Sequence, residues 1–573
     1  MADENAKELQ KREERLFTKK RNLDMLNQEL AWNFYPERAD FTIERPLGSE
    51  FAIDLFDSAP VLDRRDLGNA RASMLRPRGQ EWFKIGLASK QLAEKPNVAA
   101  HLDMMNERMR TLIYHARSGF VRSQKEADHD LVTFGNAVQT IESTLRKDGT
   151  RRLLCRNWHL RDCAWMDDED GLTQDFIARR FKASARHIKA QFGDAKLDDA
   201  VITALDDDPD KEFNLCHVMM LSDEYDYQKK PGGKKATYVS VYYDSDHKCL
   251  LRERPSERFR YVVQRWQTIS GCQYAISPAS ITSISDARGL QVLARVWIEA
   301  GEKTLDPPLK ATQRAIKSEI NTGAGMVTWV DSEYDERLGP AIEPLLPHDM
   351  NPQVGIEMLS RTTTQLKDAW YLTKLTLPQH AKTAYETSQL VEEFIRANIP
   401  LFEPWEADTE LILEEITNVL IDNNEFGMMV DWPQELAGQD LQFTFSNPLQ
   451  QAIERNKINM STTILGLIAA AGKVNPDAPG ANRIDIDQMT EDAARGTGAP
   501  SEWIKDEDQI AAEQQAKQQA MINQQKQGDI LGAIHGAGQA ADVINSGLDA
   551  AAKVQQLRNP QPAVDSSFAY GPT

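Results

Sequence analysis

The sequence predicts an α+β fold, mainly α-helical. Long segments with apolar residues at helical spacing fill most of the chain, while β-branched and aromatic runs concentrate between Arg151 and Trp266. A Gln- and Ala-rich stretch near the C-terminal end favours a further helix. With 573 residues the chain exceeds the roughly 250–300 at which a single core stops growing, so several structural units are expected.

In order, Leu9, Leu16, Leu23, Leu26 and Leu30 recur at intervals close to multiples of 3.5, which predicts a helix from Glu4 to Trp32 that "FYPERADF" ends at Pro36. Helices are expected over Leu67–Leu87 and Asn97–Ser143, with breaks at Pro77 and Gly119. Within Arg151–Trp266, "RRLLCRNWHL", "FNLCHVMML", "ATYVSVYYD" and "FRYVVQRW" have strand composition, and "FIARRFKASARHIKAQF" is predicted as a helix between them. "ISDARGLQVLARVWIEAGEK" puts Leu290, Leu293, Ala294, Trp297 and Ala300 on one helical face and stops before Pro307 and Pro308. "NPQVGIEMLSRTTTQLKDAWYLTKL" starts a second long helix with Asn351 as cap and Pro352 at the first turn. Between them Leu305–Pro347, with "GAGMVTWVD" and several prolines, is expected to be a small β-containing insert.

"LPQHAKTAYETSQLVEEF" then forms a loop, Leu375–Lys382, followed by a helix whose capping box is Thr383 and Glu386. A helix around Asp408–Ile421 and a strand at Leu441–Phe445 come next. Helical segments resume from Gln450 and include "DEDQIAAEQQAKQQAMINQQKQ", and the last residues have the composition of a disordered tail.

The search for chemistry excludes more than it finds. Cys155, His159 and Cys163 stand four apart and Cys216, His217, His247 and Cys249 follow, but no C-x2-C pair is present, and strand residues four apart lie about 13 Å from one another, too far to share zinc. "MDDEDG", Asp167–Gly171, lacks the alternating ligands of a calcium loop and is expected to be an acidic turn. "KKPGGKK", Lys229–Lys235, lacks phosphate-loop spacing and is expected to be a hairpin tip. Neither a nucleophile elbow nor a convincing carboxylate pair occurs, so no enzyme, metal or cofactor is expected. The charged N-terminus is not a signal peptide and no apolar run approaches the roughly 20 residues of a membrane span, which predicts a cytosolic chain with five reduced cysteines. A formal charge of −20 argues against tight nucleic-acid binding, though not against DNA passing by.

Four motifs in this order resemble the head-to-tail connecting, or portal, proteins of short-tailed bacteriophages: "WNFYP", "DDEDGLTQDFIARRFKASARHIKAQFG", "VVQRWQTISGCQYAISPA" leading to "DPPL", and "LPQHAKTAYET". The resemblance runs from about residue 10 to residue 525. The chain departs from it at Tyr274, Ala275 and Ile276 before Ser277 and Pro278, and at Thr387. The resemblance implies a portal-protein fold with wing, stem, clip and crown, assembled as a ring, usually of twelve subunits, at one capsid vertex. Its implied parts are a wing at 1–276, stem helices at 277–303 and 348–375, a clip at 304–347, a channel loop at 376–382, more wing at 383–480, a crown at 481–527 and a tail at 528–573.

Implied partners are other copies of the chain, double-stranded DNA in the channel, the terminase packaging motor, a tail adaptor, and the major capsid and scaffolding proteins, with no membrane. The protein would assemble in the host cytoplasm and reside in the virion. Gln379, His380 and Lys382 would face DNA from the channel loop, and Met326, Val327, Trp329 and Val330 would meet partners at the clip. One helix per subunit at about 9 Å spacing gives twelve copies a bore of about 24 Å, wide enough for a duplex of about 20 Å. A helical scaffold or adaptor without a channel remains the alternative.

Overall fold

The computed structural model describes residues 2–375, apart from 47, 52–54, 80, 94, 146–148, 170, 172–173, 194–196, 226–235, 321–325, 332, 334, 336, 338 and 345–351, and residues 404–445, apart from 428–431 and 437. Beyond these it describes only Ile464, Gly466 and Leu467, which belong to a second unit, Lys457–Thr573; everything below concerns the first, Met1–Asn456.

The chain begins with α1 (Ala2–Phe34), followed by α2 (Ala59–Leu75), β1 (Phe83–Leu87), α3 (Lys90–Ala93), α4 (Pro96–Ile113) and α5 (Phe120–Phe134). Eight strands follow: β2 (Asn136–Leu145), β3 (Arg151–Trp158), β4 (Cys163–Asp167), β5 (Gln174–Ser184), then after α6 (Ala185–Phe192) and α7 (Asp199–Asp207) come β6 (Glu212–Leu221), β7 (Tyr238–Asp244), β8 (Cys249–Ser256) and β9 (Tyr261–Arg265). A π-helical turn, Ala279–Ser283, opens α8 (Ile284–Leu305), and β10 (Leu309–Ala311) and β11 (Ile342–Pro344) lead to α9 (Pro352–Ala369) and α10 (Leu372–Leu375). Last come α11 (residues 404–422) and β12 (Leu441–Phe445). This is the mixed helix-and-strand class expected from the sequence.

Three predicted helices are corrected. Phe83–Leu87, expected at the end of a helical stretch broken at Pro77, is a strand paired residue by residue with β12, from Phe83↔Phe445 to Leu87↔Leu441. Asn136–Ser143 is the start of a ten-residue strand. Gly135 stops α5 there at φ +78°, and a Cβ would lie 2.7 Å from the Ala275 carbonyl oxygen. The first part of "FIARRFKASARHIKAQF" is β5, and only Ala185–Phe192 is helical. β2 and β5 are each covered on both faces over much of their length, which erases the alternation that marks a half-buried strand.

β4 to β8 form an antiparallel sheet in chain order, and β3-β2-β9 form a smaller one. α1 lays Ala6, Leu9 and Leu16 on one face of the large sheet, against Phe176, Val218, Val241 and Tyr243. Its opposite face meets the small sheet through a polar seam. His217 Nδ1 lies 2.6 Å from the Tyr261 hydroxyl and Nε2 2.8 Å from Ser240 Oγ, while the ring stacks on Tyr242 at 4.0 Å. Arg179 donates to the Tyr261 hydroxyl at 3.1 Å and lies over Trp158. Burial, reinforced by Arg179, keeps His217 neutral by lowering its pKa well below the ordinary value. A second core joins α4, α11, β1 and β12 to Ile141 and Leu153 of the small sheet.

Cys155, Cys163 and Cys216 are core residues, and burial pushes the Cys155 and Cys163 thiols up to about 12. His159 instead faces Asp40, 2.7 Å away. Among the described residues no His, Cys, Asp and Glu are grouped to hold a metal ion, and no helix is long and apolar enough to cross a membrane. The "KKPGGKK" segment lies outside the described residues, between the antiparallel partners β6 and β7.

Candidate channel and docking elements

α8 and α9 stand side by side, and one contact fixes how closely. A Cβ at Gly355 in α9 would come within 2.4 Å of the Trp297 ring of α8, so glycine is what allows this indole to lie against the neighbouring backbone. Ile284, Ala287, Leu290 and Ala294 turn α8 toward the body. Its other side is also apolar: Val292 and Val296 are 62% and 56% exposed, as are Val354 (54%) and Met358 (49%) of α9. Neither helix contributes to the net charge, since α8 carries three acidic and three basic residues and α9 two of each.

Both helices join the body through irregular backbone. The π-turn before α8 is held by Ser277, whose hydroxyl donates to the Thr133 carbonyl at 2.7 Å. Nearby, the Asn136 amide brackets Ala275, accepting from its N–H at 3.0 Å and donating to its C=O at 3.1 Å. At the far end the helix predicted to continue from Pro352 through Lys374 breaks. Trp370 is fully buried with its ring 5.2 Å from Phe34, and Tyr371 takes φ +57°, a left-handed conformation that ends α9 before α10. Where α9 meets α2, burial raises the Asp63 carboxyl to about 6 against the opposing pull of Lys367.

The insert between the helices is lightly built. β10 and β11 pair over three residues, with Lys310 Nζ 2.8 Å from Glu343, which raises the lysine pKa. A second crossing brings Ile316 opposite Val330. There Lys317 N–H donates to the Trp329 carbonyl at 3.1 Å, Trp329 N–H donates to Ser318 Oγ at 3.0 Å, and the Lys317 ammonium holds the Asp331 carboxyl below its usual range. The apolar run singled out from the sequence stands in solvent: Met326 is 64%, Val327 61%, Trp329 69% and Val330 45% exposed.

Gln379, His380 and Lys382, and the capping box at Thr383 and Glu386, lie outside the described residues, as do residues 481–573. The structure therefore places the four insert residues in solvent and describes none of the loop residues. Sequence reasoning passed over Val292 and Val296, although their spacing of four, out of phase with Leu290 and Ala294, marks a second apolar face.

From residue 6 to residue 504 the chain matches the family described as "Bacteriophage head to tail connecting protein". The chain belongs to that family. Among curated relatives of this head-to-tail connecting protein, the "Probable portal protein" of Bordetella phage BPP-1 is 23% identical over 523 residues, spanning 90% of this chain and 88% of the relative. The "Portal protein" of Salmonella phage epsilon15 is 20% identical over 479 residues, spanning 81% and 82%. Among solved structures, a chain of the virion of a native gene transfer agent particle aligns at a TM-score of 0.33 and 11% identity, over 73% of this chain and 86% of that one; a likeness that loose defines no shared fold.

Proposed function

We propose that this head-to-tail connecting protein is a portal subunit, residing in the virion, whose copies form a ring-shaped channel at one capsid vertex through which DNA is packaged and ejected. Family membership across residues 6–504 carries the reading, and two relatives bear the name portal protein. α8 and α9 are then the stem, and 304–347 the clip that docks the terminase motor and later the tail adaptor through Met326, Val327, Trp329 and Val330. Residues 376–382 form the channel loop, with Gln379, His380 and Lys382 toward DNA. The apolar outer faces of α8 and α9 support assembly, because helices apolar on opposite sides are expected between two packed layers. The role is structural, and catalysis belongs to the motor.

Electron microscopy of the purified protein tests this. Rings with an open central channel wide enough for duplex DNA are expected. Monomers or solid assemblies would favour a helical scaffold or adaptor without a channel.

A further inference from the structure

Residues 397–453 contain eleven Asp and Glu and no Lys, Arg or His. Along α11, Glu406, Glu410 and Glu414 follow one another at spacings of four, a like-charge series that disfavours the helix it occupies. Several acids of the segment find cations on the body: Glu415 and Asp422 meet Arg258, Glu425 meets Arg108 and Glu435 meets Lys95. Glu414 and Asp440 have no such partner among the described residues. Both line a groove of about 670 Å³ between α11 and β12. Its apolar wall is made by Ile421, Trp432, Leu441 and Phe443, each only half-buried. β12, which supplies the last two, pairs with β1 and with no other strand among the described residues.

We propose that this groove docks a short extended segment of a partner protein, apolar at alternate positions and bearing lysine or arginine at its ends. A strand added beside β12 lays every second side chain over the face that carries Leu441 and Phe443. Basic ends reach Glu414 and Asp440, which have no other cation among the described residues, and with no basic residue among the described lining the groove disfavours acidic segments and nucleic acid alike. The volume falls within the usual range of ligand clefts, about 300–1,000 Å³. None of the lining residues belongs to α8, α9 or the insert between them, and the proposal stands whether or not the copies form a ring.

The test uses the full chain and a fluorescein-labelled eight-residue peptide alternating leucine with threonine and ending in lysine at both ends, with a glutamate-ended control. Anisotropy should show saturable binding of the lysine-ended peptide, at least tenfold weaker for the Glu414→Lys, Asp440→Lys double variant. Both positions are exposed, so the variant should fold, which an unchanged melting temperature verifies. Equal affinity for parent and variant would place the attraction elsewhere on an acidic protein and overturn the proposal. Equal binding of the glutamate-ended peptide, or no binding by the parent because its own chain covers the groove, would overturn it too.

Discussion

A methyl group added at Gly355 would lie 2.4 Å from the Trp297 ring and force a shift, whereas one added at Gly289 of α8 meets no atom within 4 Å. Gly355→Ala should therefore cost about 1–3 kcal/mol through overpacking, while Gly289→Ala should stabilise by up to about 1 kcal/mol through helix propensity. Urea unfolding of the two variants checks both signs, and equal effects would mean that the indole moves aside freely. Asp63 gives a pH-dependent case. Its folded pKa, raised to about 6 by burial and by neighbouring Asp66 and Asp57 against Lys367, lies above the unfolded value of 3.8. Ionising it costs folded stability, so its favourable effect is complete below pH 3.8 and lost as pH rises through 6. Asp63→Asn should melt roughly 2 °C above the parent at pH 7.5 and level with it at pH 3.5, read by a thermal scan. A difference that stays constant across this range would assign the effect to packing.

Serine at Val292 and Val296 should leave the subunit folded, because both are more than half exposed, and should weaken assembly as judged by sedimentation. Loss of subunit stability without loss of assembly would place these valines in the core instead. The clip makes a related prediction. Its strands pair over three residues and its apolar run faces solvent, so an excised clip should be unfolded alone and Trp329→Ala should impair assembly or packaging. A well-folded isolated clip would contradict this. What the sequence disclosed follows the same physics. Leu441–Phe445 was legible because its burial alternates and a proline follows it, and the break at Gly119 was legible because glycine there holds φ +70°. β2 and β5 were not, since strands covered on both faces lose their period of two, and β1, although its burial alternates, is only five residues long and carries Lys84 and Gly86, too short a pattern to separate from the helix before it. The four insert residues stood out as an apolar cluster in a polar, proline-rich stretch. The loop residues were singled out by resemblance and by a helix break, and nothing in their own composition distinguishes them from a connector.

A whole-chain charge of −20 invites the picture of an acidic channel, yet α8 and α9 are each balanced and eleven acids lie in residues 397–453. If these helices line the bore, twelve copies present DNA with a wall of alternating signs rather than a uniform repulsive field. On the proposed reading, retention of the genome is then the task of Gln379, His380 and Lys382. Replacing Gln379, His380 and Lys382 with serine should leave rings intact but reduce the fraction of particles that keep full-length DNA, since weak phosphate contacts repeated around a ring would be lost. Particles that retain genomes as well as the parent would make the loop a simple connector. The β1–β12 ribbon sets a different condition, one of time. Its strands are separated by the entire excursion through both sheets, the α8–α9 pair and the insert between them, about 350 residues of chain. At the usual pace of synthesis Phe83–Leu87 waits roughly 20–70 s before Leu441–Phe445 leaves the ribosome to pair with it. A chain cut short of Leu441–Phe445 cannot close this ribbon, and with it the second core, so this part of the subunit forms only after more than three-quarters of the chain has been made.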